Sequence, residues 1–327
     1  MTQKVRDLAG RELSVESVGD PEGKPVFLLH GTPGGRGGPR PRGIVLYRLG
    51  VRLISFDRPG YPGSTRHQER TVATAAENVR AIADYFGIER FSVVGRSGGG
   101  PHALACAALL PDRVISVAAL VSLAPPNAEG LDWTAGMTKS NVEAYRLAAE
   151  DHVALRALLK EQAENIDKGS EGLLRALWPE MDYHDKEVID DIAIRRIIAD
   201  IHVEALNNNC VDGWVDDVIA LGNDWKFDPA KITVPVKLWA GRDDVFSPVG
   251  HTFWLAQQIA GAEVEIANGK AHFGAVKILP KILSWVTKKA NAERPSELAV
   301  SHDSRLAASL AMAGARSRQT AEAAATP

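Results

Sequence analysis

Hydrophobic and polar positions divide the chain into two alternating patterns. A short continuous apolar run stands at residues 25–29 (PVFLL) and largely apolar runs at 52–56 (RLISF), 91–94 (FSVV), 114–123 (VISVAALVSL) and 234–240 (VPVKLWA), as expected of strands buried on both faces of a parallel sheet. Residues 263–267 predict one more strand, and residues 4–18 a hairpin turning at Ala9-Gly10. Between the strands, Ala75, Val79, Ile82, Ala83 and Phe86 fall at helical spacing. Thr74 and Glu77 stand in capping-box positions, with Gly87 as the stop. Further helices are predicted from the turn at Ser97 to Leu110, over 251–259, and to about Lys289, with Pro280 in the first turn or at a kink. Repeated alternation of strand and helix predicts an α/β chain with a doubly wound, mostly parallel sheet.

From residue 128 to 228 the strand-like runs almost vanish, and helical patterns cover 141–149, 152–163, 173–178 and 188–206. Because strands resume afterwards, this stretch is inserted. The expected organisation is a core of residues 1–127 and 229–290 with a helical cap at 128–228. Four of the 7 tryptophans (Trp133, Trp178, Trp214, Trp225) lie in the cap, as core or as pocket wall. Residues 291–327 are rich in Ala, Ser, Arg and Thr with few large apolar side chains, which predicts a tail without fixed structure, removable at little cost, apart from a short helix at 304–312.

The 327 residues, 45% hydrophobic and 24% charged, allow one large core plus an insertion. A net charge of −3 without a basic cluster argues against nucleic acid or an anionic membrane as partner. The N-terminal segment has no apolar signal and no apolar run reaches spanning length, so a soluble, cytoplasmic protein is expected. Cys106 and Cys210 lack metal-ligand spacing and are expected as reduced thiols. The glycine-rich stretch 31–38 lacks the Gly-Lys-Ser/Thr ending of a phosphate loop. No cofactor or metal is expected, and nothing in the chain bears on oligomeric state.

The chemistry gathers at strand ends. Val93-Val94-Gly95-Arg96-Ser97-Gly98-Gly99 runs from a strand into a helix-forming segment, a sharp turn that forces Ser97 into a strained conformation and exposes its hydroxyl. A serine hydroxyl needs a base, usually histidine, held in one tautomer by a carboxylate. His272 follows the last predicted strand, and Asp244 lies three residues after Gly241, which ends another. Asp243 is the alternative acid. Four more residues have a structural reading first and a functional one as alternative: His30 to hold its loop or serve as a base, Arg58 and Arg96 to form loop-holding ion pairs or to contact substrate, and His102 to pack in the helix after Ser97 or act as a second base.

These motifs, HGTPGG (30–35), DRPGYPGS (57–64), GRSGGG (95–100), GRDDVFSP (241–248) and AHFG (271–274), resemble the α/β-hydrolase family, in its broad esterase and prolyl-iminopeptidase-like group. The order Ser97, Asp244, His272 is the one this fold implies. The resemblance further implies an oxyanion hole from the backbone N–H groups of Thr32 and Gly98; Pro33 has no N–H to offer. Three positions depart from the family: Gly98 where a bulkier residue is common, Ala271 where glycine is usual, and Arg96 before the nucleophile. The leading expectation is a cofactor-independent serine hydrolase of a small or medium carboxylic ester, lactone or related acyl compound. Alternatives are an amide, aminopeptidase or carbon–carbon bond hydrolase with the same triad, a cofactorless lyase or perhydrolase, or a small-molecule receptor. A serine at this turn argues against haloalkane dehalogenase and epoxide hydrolase chemistry, which need an aspartate there.

Overall fold

The computed structural model describes residues 2–164, 171–207 and 210–292. Strands β1 (Thr2–Arg6) and β2 (Glu12–Gly19) form a hairpin, followed by β3 (Lys24–Leu29), α1 (Gly43–Arg48), β4 (Val51–Phe56), α2 (Thr74–Tyr85), β5 (Phe91–Arg96), α3 (Gly99–Leu109) and β6 (Val114–Leu120). Helices α4 (Lys139–Glu150), α5 (His152–Glu164), α6 (Gly172–Leu177), α7 (Tyr183–Asp190), α8 (Ile192–Ala205) and α9 (Asp212–Leu221) then intervene. The sheet resumes with β7 (Val236–Gly241), α10 (Val249–Gln258), β8 (Glu263–Ala267) and α11 (Gly274–Ala292).

The 8-stranded sheet has the order β1-β2-β4-β3-β5-β6-β7-β8. β2 pairs antiparallel with β1 and β4; every pairing from β4 to β8 is parallel. The continuous apolar runs have a simple cause: both faces are covered. Phe27, Leu29 and Val93 pack with Val79, Ile82, Leu104 and Leu255 of α2, α3 and α10, while Val26, Leu28 and Val94 pack with Leu46, Leu279, Ile282 and Val286 of α1 and α11. β3 is the strand from which the chain winds first one way, to β4, and then the other, to β5. The loops leaving the carboxyl ends of β3 and β5 therefore face each other at the switch point, where open α/β sheets hold ligands.

Several local expectations need correction. The capping box at Thr74 and Glu77 does not form: the N-cap is Ala73, without a side-chain bond, and the Thr74 hydroxyl accepts the Thr71 N–H at 3.0 Å. Gly87, at φ 64°, does stop that helix. β6 ends at Leu120, short of Leu123, because Val121 takes φ 44° and leaves the sheet. The single helix expected over 188–206 is broken at Asp191, whose extended backbone separates α7 from α8 and whose carboxylate caps Ala193 and Ile194. Helices α1 and α9 were not foreseen from the pattern. Pro280 lies inside α11, past its first turn. Asn291 and Ala292, assigned to the tail, still belong to α11; the rest of the expected tail, with its 304–312 helix, lies outside the described residues.

Candidate active site

Ser97 sits between β5 and α3 at φ 54°, a left-handed conformation unusual for a residue with a side chain. Its N–H donates to Leu120 O at 2.9 Å, tying the turn to β6. A Cβ on Gly95 would stand 2.1 Å from Gly99 O, and one on Gly99 would stand 2.2 Å from Leu29 O, so the turn closes only with glycine at both places. A Cβ on Gly98 would meet Thr32 Oγ1 at 2.3 Å. The departure from the family at this position thus has a cause: the Thr32 side chain fills the space.

His272 and Asp244 are brought together. The Asp244 carboxylate, 4% exposed, accepts His272 Nδ1–H at 2.9 Å on Oδ2, and its Oδ1 accepts the N–H groups of Phe246 and Ser247 at 2.8 and 2.9 Å. Buried and fully occupied, it fixes the imidazole with Nε2 free. Phe246 and Phe273 flank the ring at centroid distances of 5.2 and 5.7 Å. Asp243 is 38% exposed and faces His184 Nε2 at 3.6 Å, away from His272. Ser97 and His272 line one cavity, without a hydrogen bond between them; such bonds are often loose before substrate arrives.

That cavity, of about 110 Å³, is walled by Thr32, Gly98, Leu159, Leu173, Trp214 and Val218 among others. Of the four insertion tryptophans, Trp214 is pocket wall; Trp225, 1% exposed, is core. Among the described residues, neither the Thr32 nor the Gly98 N–H donates to a protein acceptor, and both residues border the cavity beside Ser97. Two free donors next to a serine hydroxyl are of the kind that can receive an oxyanion.

The loop bearing Thr32 is held from below. His30 Nε2 accepts the Arg58 N–H at 3.2 Å, so the proton lies on Nδ1, which meets Gly31 O at 2.8 Å. Burial and the Arg58 charge keep this imidazole well below its usual pKa, as a neutral structural residue. Arg58 donates to His30 O at 2.5 Å, Gly31 O at 2.9 Å and Thr32 Oγ1 at 3.1 Å. Its ion-pair partner is Asp217, from α9, which also accepts from Thr32 Oγ1 at 2.8 Å, Tyr61 at 2.7 Å and Arg70 at 2.6 Å. Burial opposes the Asp217 charge, but Arg58 and Arg70 hold the carboxyl well below its usual range. His102 Nδ1 is 2.6 Å from Gly98 O, and burial, then Arg58, pushes its pKa down to about 3, so it packs as a neutral ring.

Arg96 contradicts its expected role. Arg58 forms the expected ion pair, but among the described residues Arg96 forms none, and its side chain borders the cavity instead. Sequence reasoning also missed three buried residues of the insertion: Asp217, His202 and Asp185. Asp185 Oδ1 accepts the Phe273 N–H at 2.7 Å and so braces the residue next to His272; burial raises its pKa to about 6. For Asp217 the available signal was a run of aspartates in the largely apolar helical stretch DGWVDDVIAL; the polar stretch YHDKEVID around Asp185 offers no such contrast. No group of three or more His, Cys, Asp or Glu among the described residues is placed to hold a metal ion, and no described helix is long and apolar enough to cross a membrane.

A family model described as the alpha/beta hydrolase fold matches residues 24–273. Over 110 residues the chain is 34% identical to a probable proline iminopeptidase from Leptolyngbya boryana, a match covering 31% of this chain and 32% of that protein. The chain thus spans about a third of the length of the proline iminopeptidases it first matches. A longer match, 27% identical over 265 residues, covers 77% of the chain and 82% of the 2-hydroxy-6-oxo-6-phenylhexa-2,4-dienoate hydrolase of Comamonas testosteroni. Among solved structures, a thermophilic esterase from Thermogutta terrifontis superposes with TM-score 0.65 at 17% identity, covering 88% of this chain and 99% of that one. The enol-lactonase of Burkholderia xenovorans LB400 gives 0.64 at 18%, covering 88% and 100%. At these identities the likeness is one of fold.

Proposed function

Because this chain belongs to the alpha/beta hydrolase fold family, we propose that it is a serine hydrolase of a small carboxylic ester, lactone or related acyl compound, with the insertion as a cap over its pocket. Ser97 Oγ attacks the acyl carbon while His272 Nε2 takes its proton. Asp244 holds the imidazole and stabilises the imidazolium that forms. The oxyanion accepts the N–H groups of Thr32 and Gly98, each contributing roughly 3–4 kcal/mol of barrier lowering. His272 returns the proton to the leaving group, and water, activated by the same base, releases the acyl group from Ser97.

The observation that carries this reading is convergence on one cavity: the left-handed Ser97, the His272–Asp244 pair at 2.9 Å, and two undonated N–H groups. Fluorophosphonate labelling of Ser97, with turnover of p-nitrophenyl esters abolished in a folded Ser97→Ala variant, is the expected result. Ester hydrolysis at a comparable rate in that variant would sink the assignment. Asp244→Asn is expected to lower kcat by roughly 10⁴, the scale on which a triad carboxylate acts through the tautomer of its histidine.

A second reading draws on the longer relative. Its name specifies a dienoate with a ketone and no ester or amide bond, a compound that water can split only between carbons. The same serine, base and oxyanion donors suit that reaction, and assaying an enol-ketone dienoate beside the esters separates the two.

A further inference from the structure

Beside Ser97 the cavity holds a cation that the hydrolytic steps do not use. Arg96 ends β5, and its side chain borders the cavity together with Ser97, His202 and His272. Its Nη2 stands 3.4 Å from the place a Cβ on Gly31 would take, close to the oxyanion loop. The residue is half-buried and borders two cavities. Among the described residues no carboxylate lies within ion-pair distance and no protein acceptor takes its N–H groups. Asp185 is the acid whose charge reaches it, yet that carboxylate is turned to the Phe273 N–H.

A guanidinium that faces a cavity with no anion beside it is unfavourable. Burial accordingly lowers Arg96 from its usual range to about 10, still charged at neutral pH. His202 stands on the same cavity wall, itself 7% exposed, with Nδ1 buried and unpartnered. Burial and the Arg96 charge bring its pKa to about 4, so it is neutral and can donate one N–H. Much of the wall is apolar, with Ala144, Leu159, Leu173 and Val218.

We propose that Arg96, assisted by His202, binds a carboxylate carried by the substrate, so that the preferred acyl compounds are anions with a carboxylate separate from the bond that Ser97 breaks. The substrate class rests on the hydrolase reading; the anion site does not.

The test compares p-nitrophenyl hydrogen glutarate with p-nitrophenyl 5-methylhexanoate, which puts an isopropyl group in the carboxylate's place. Wild type is expected to favour the glutarate, and Arg96→Gln to cut the ratio of the two kcat/KM values roughly 10- to 100-fold, the range for hydrogen bonds to a charged group. Arg96→Lys should recover part of the ratio. His202→Phe should lower it by a smaller factor and serves where Arg96→Gln does not fold. An unchanged ratio in folded Arg96→Gln overturns the proposal, and so does an equal loss on both esters, which would place the cation at the reacting carbonyl. Calorimetry with glutarate and glutaramide supplies a readout free of turnover. If neither ester is cleaved and Ser97 resists the fluorophosphonate, the hydrolase reading fails, while glutarate binding that is lost in Arg96→Gln still upholds the anion site. Glutarate binding no tighter than glutaramide overturns it.

Discussion

The two sides of the cavity treat buried charge in opposite ways. On the side of the Thr32 loop, Asp217 is completely buried and fully occupied: Arg58, Arg70, Tyr61 and Thr32 all converge on it. On the side of the His272 loop, Asp185 has one oxygen, and His202 one ring nitrogen, buried without a partner, and Arg96 has no anion. Both aspartates come from the insertion and both brace a loop of the core, so position alone does not explain the difference. Saturation does. A buried polar group left unmade costs about 1–3 kcal/mol, and on this side two such groups lie close to a cation that has no anion. The satisfied cluster is architecture, and the incomplete one is the wall prepared for a ligand.

The largest effect should come from breaking the saturated side. Asp217→Ala would leave Arg58 and Arg70 buried without their carboxylate, and removing one partner of a buried pair typically destabilises by about 3–5 kcal/mol. Denaturant unfolding at pH 7 measures it. The pH dependence has a definite sign. The folded pKa of Asp217 lies below its unfolded value, so its stabilisation is fully present above the ordinary carboxylate range and is lost as pH falls through the lower folded pKa. A wild-type and variant difference that vanished already at pH 5 would contradict the paired cluster.

A smaller and opposite effect is expected on the incomplete side. The Asp185 pKa is raised to about 6 from 3.8 by burial, so the folded state binds more protons than the unfolded one between those values. Stability therefore falls as pH rises through that window, by about 2–3 kcal/mol in all from this group. Asp57, also raised to about 6 by burial, contributes a parallel slope of its own. Asp185→Asn keeps an acceptor for the Phe273 N–H and removes the charge. The variant should be more stable than wild type at pH 7 and should show a flatter stability profile between pH 4 and 6. An unaltered slope would mean that Asp185 is not held by burial.

How legible each side was follows the same division. The strands were readable because double-sided burial leaves few polar positions, as in PVFLL, and the Ser97 turn was readable because Gly95 and Gly99 answer contacts within a few residues or on the adjacent strand. His272 and Asp244 were readable from their places just beyond strand ends. Asp217 was not, because its burial depends on Arg58 and Tyr61, 159 and 156 residues away in sequence. The break at Asp191 was hidden by apolar spacing that runs on across it, and was decided by a side-chain cap. Arg96 stands out in the sequence only as a departure from the family; only the arrangement of the other chain segments shows that no acid meets it.

The smallest effect is expected at Asp243, which shares a strand end and a sequence neighbourhood with Asp244 but not its surroundings. Asp244 is buried and gives its oxygens to two backbone N–H groups and to His272, whereas Asp243 is 38% exposed and stands 3.6 Å from a histidine on α7. Even a full ion pair at an exposed position contributes only about 0–1 kcal/mol, which bounds this contact from above. Its N–H donates to Lys270 O at 3.0 Å, a main-chain bond that a side-chain change leaves in place. Asp243→Asn should therefore alter kcat/KM by less than about fivefold and stability by less than about 1 kcal/mol, against the loss of orders of magnitude expected for Asp244→Asn. Steady-state ester hydrolysis by the two variants side by side measures the contrast. A comparable loss in both would mean that the acid acts through the loop as a whole, and the separate role given to Asp244 would fall.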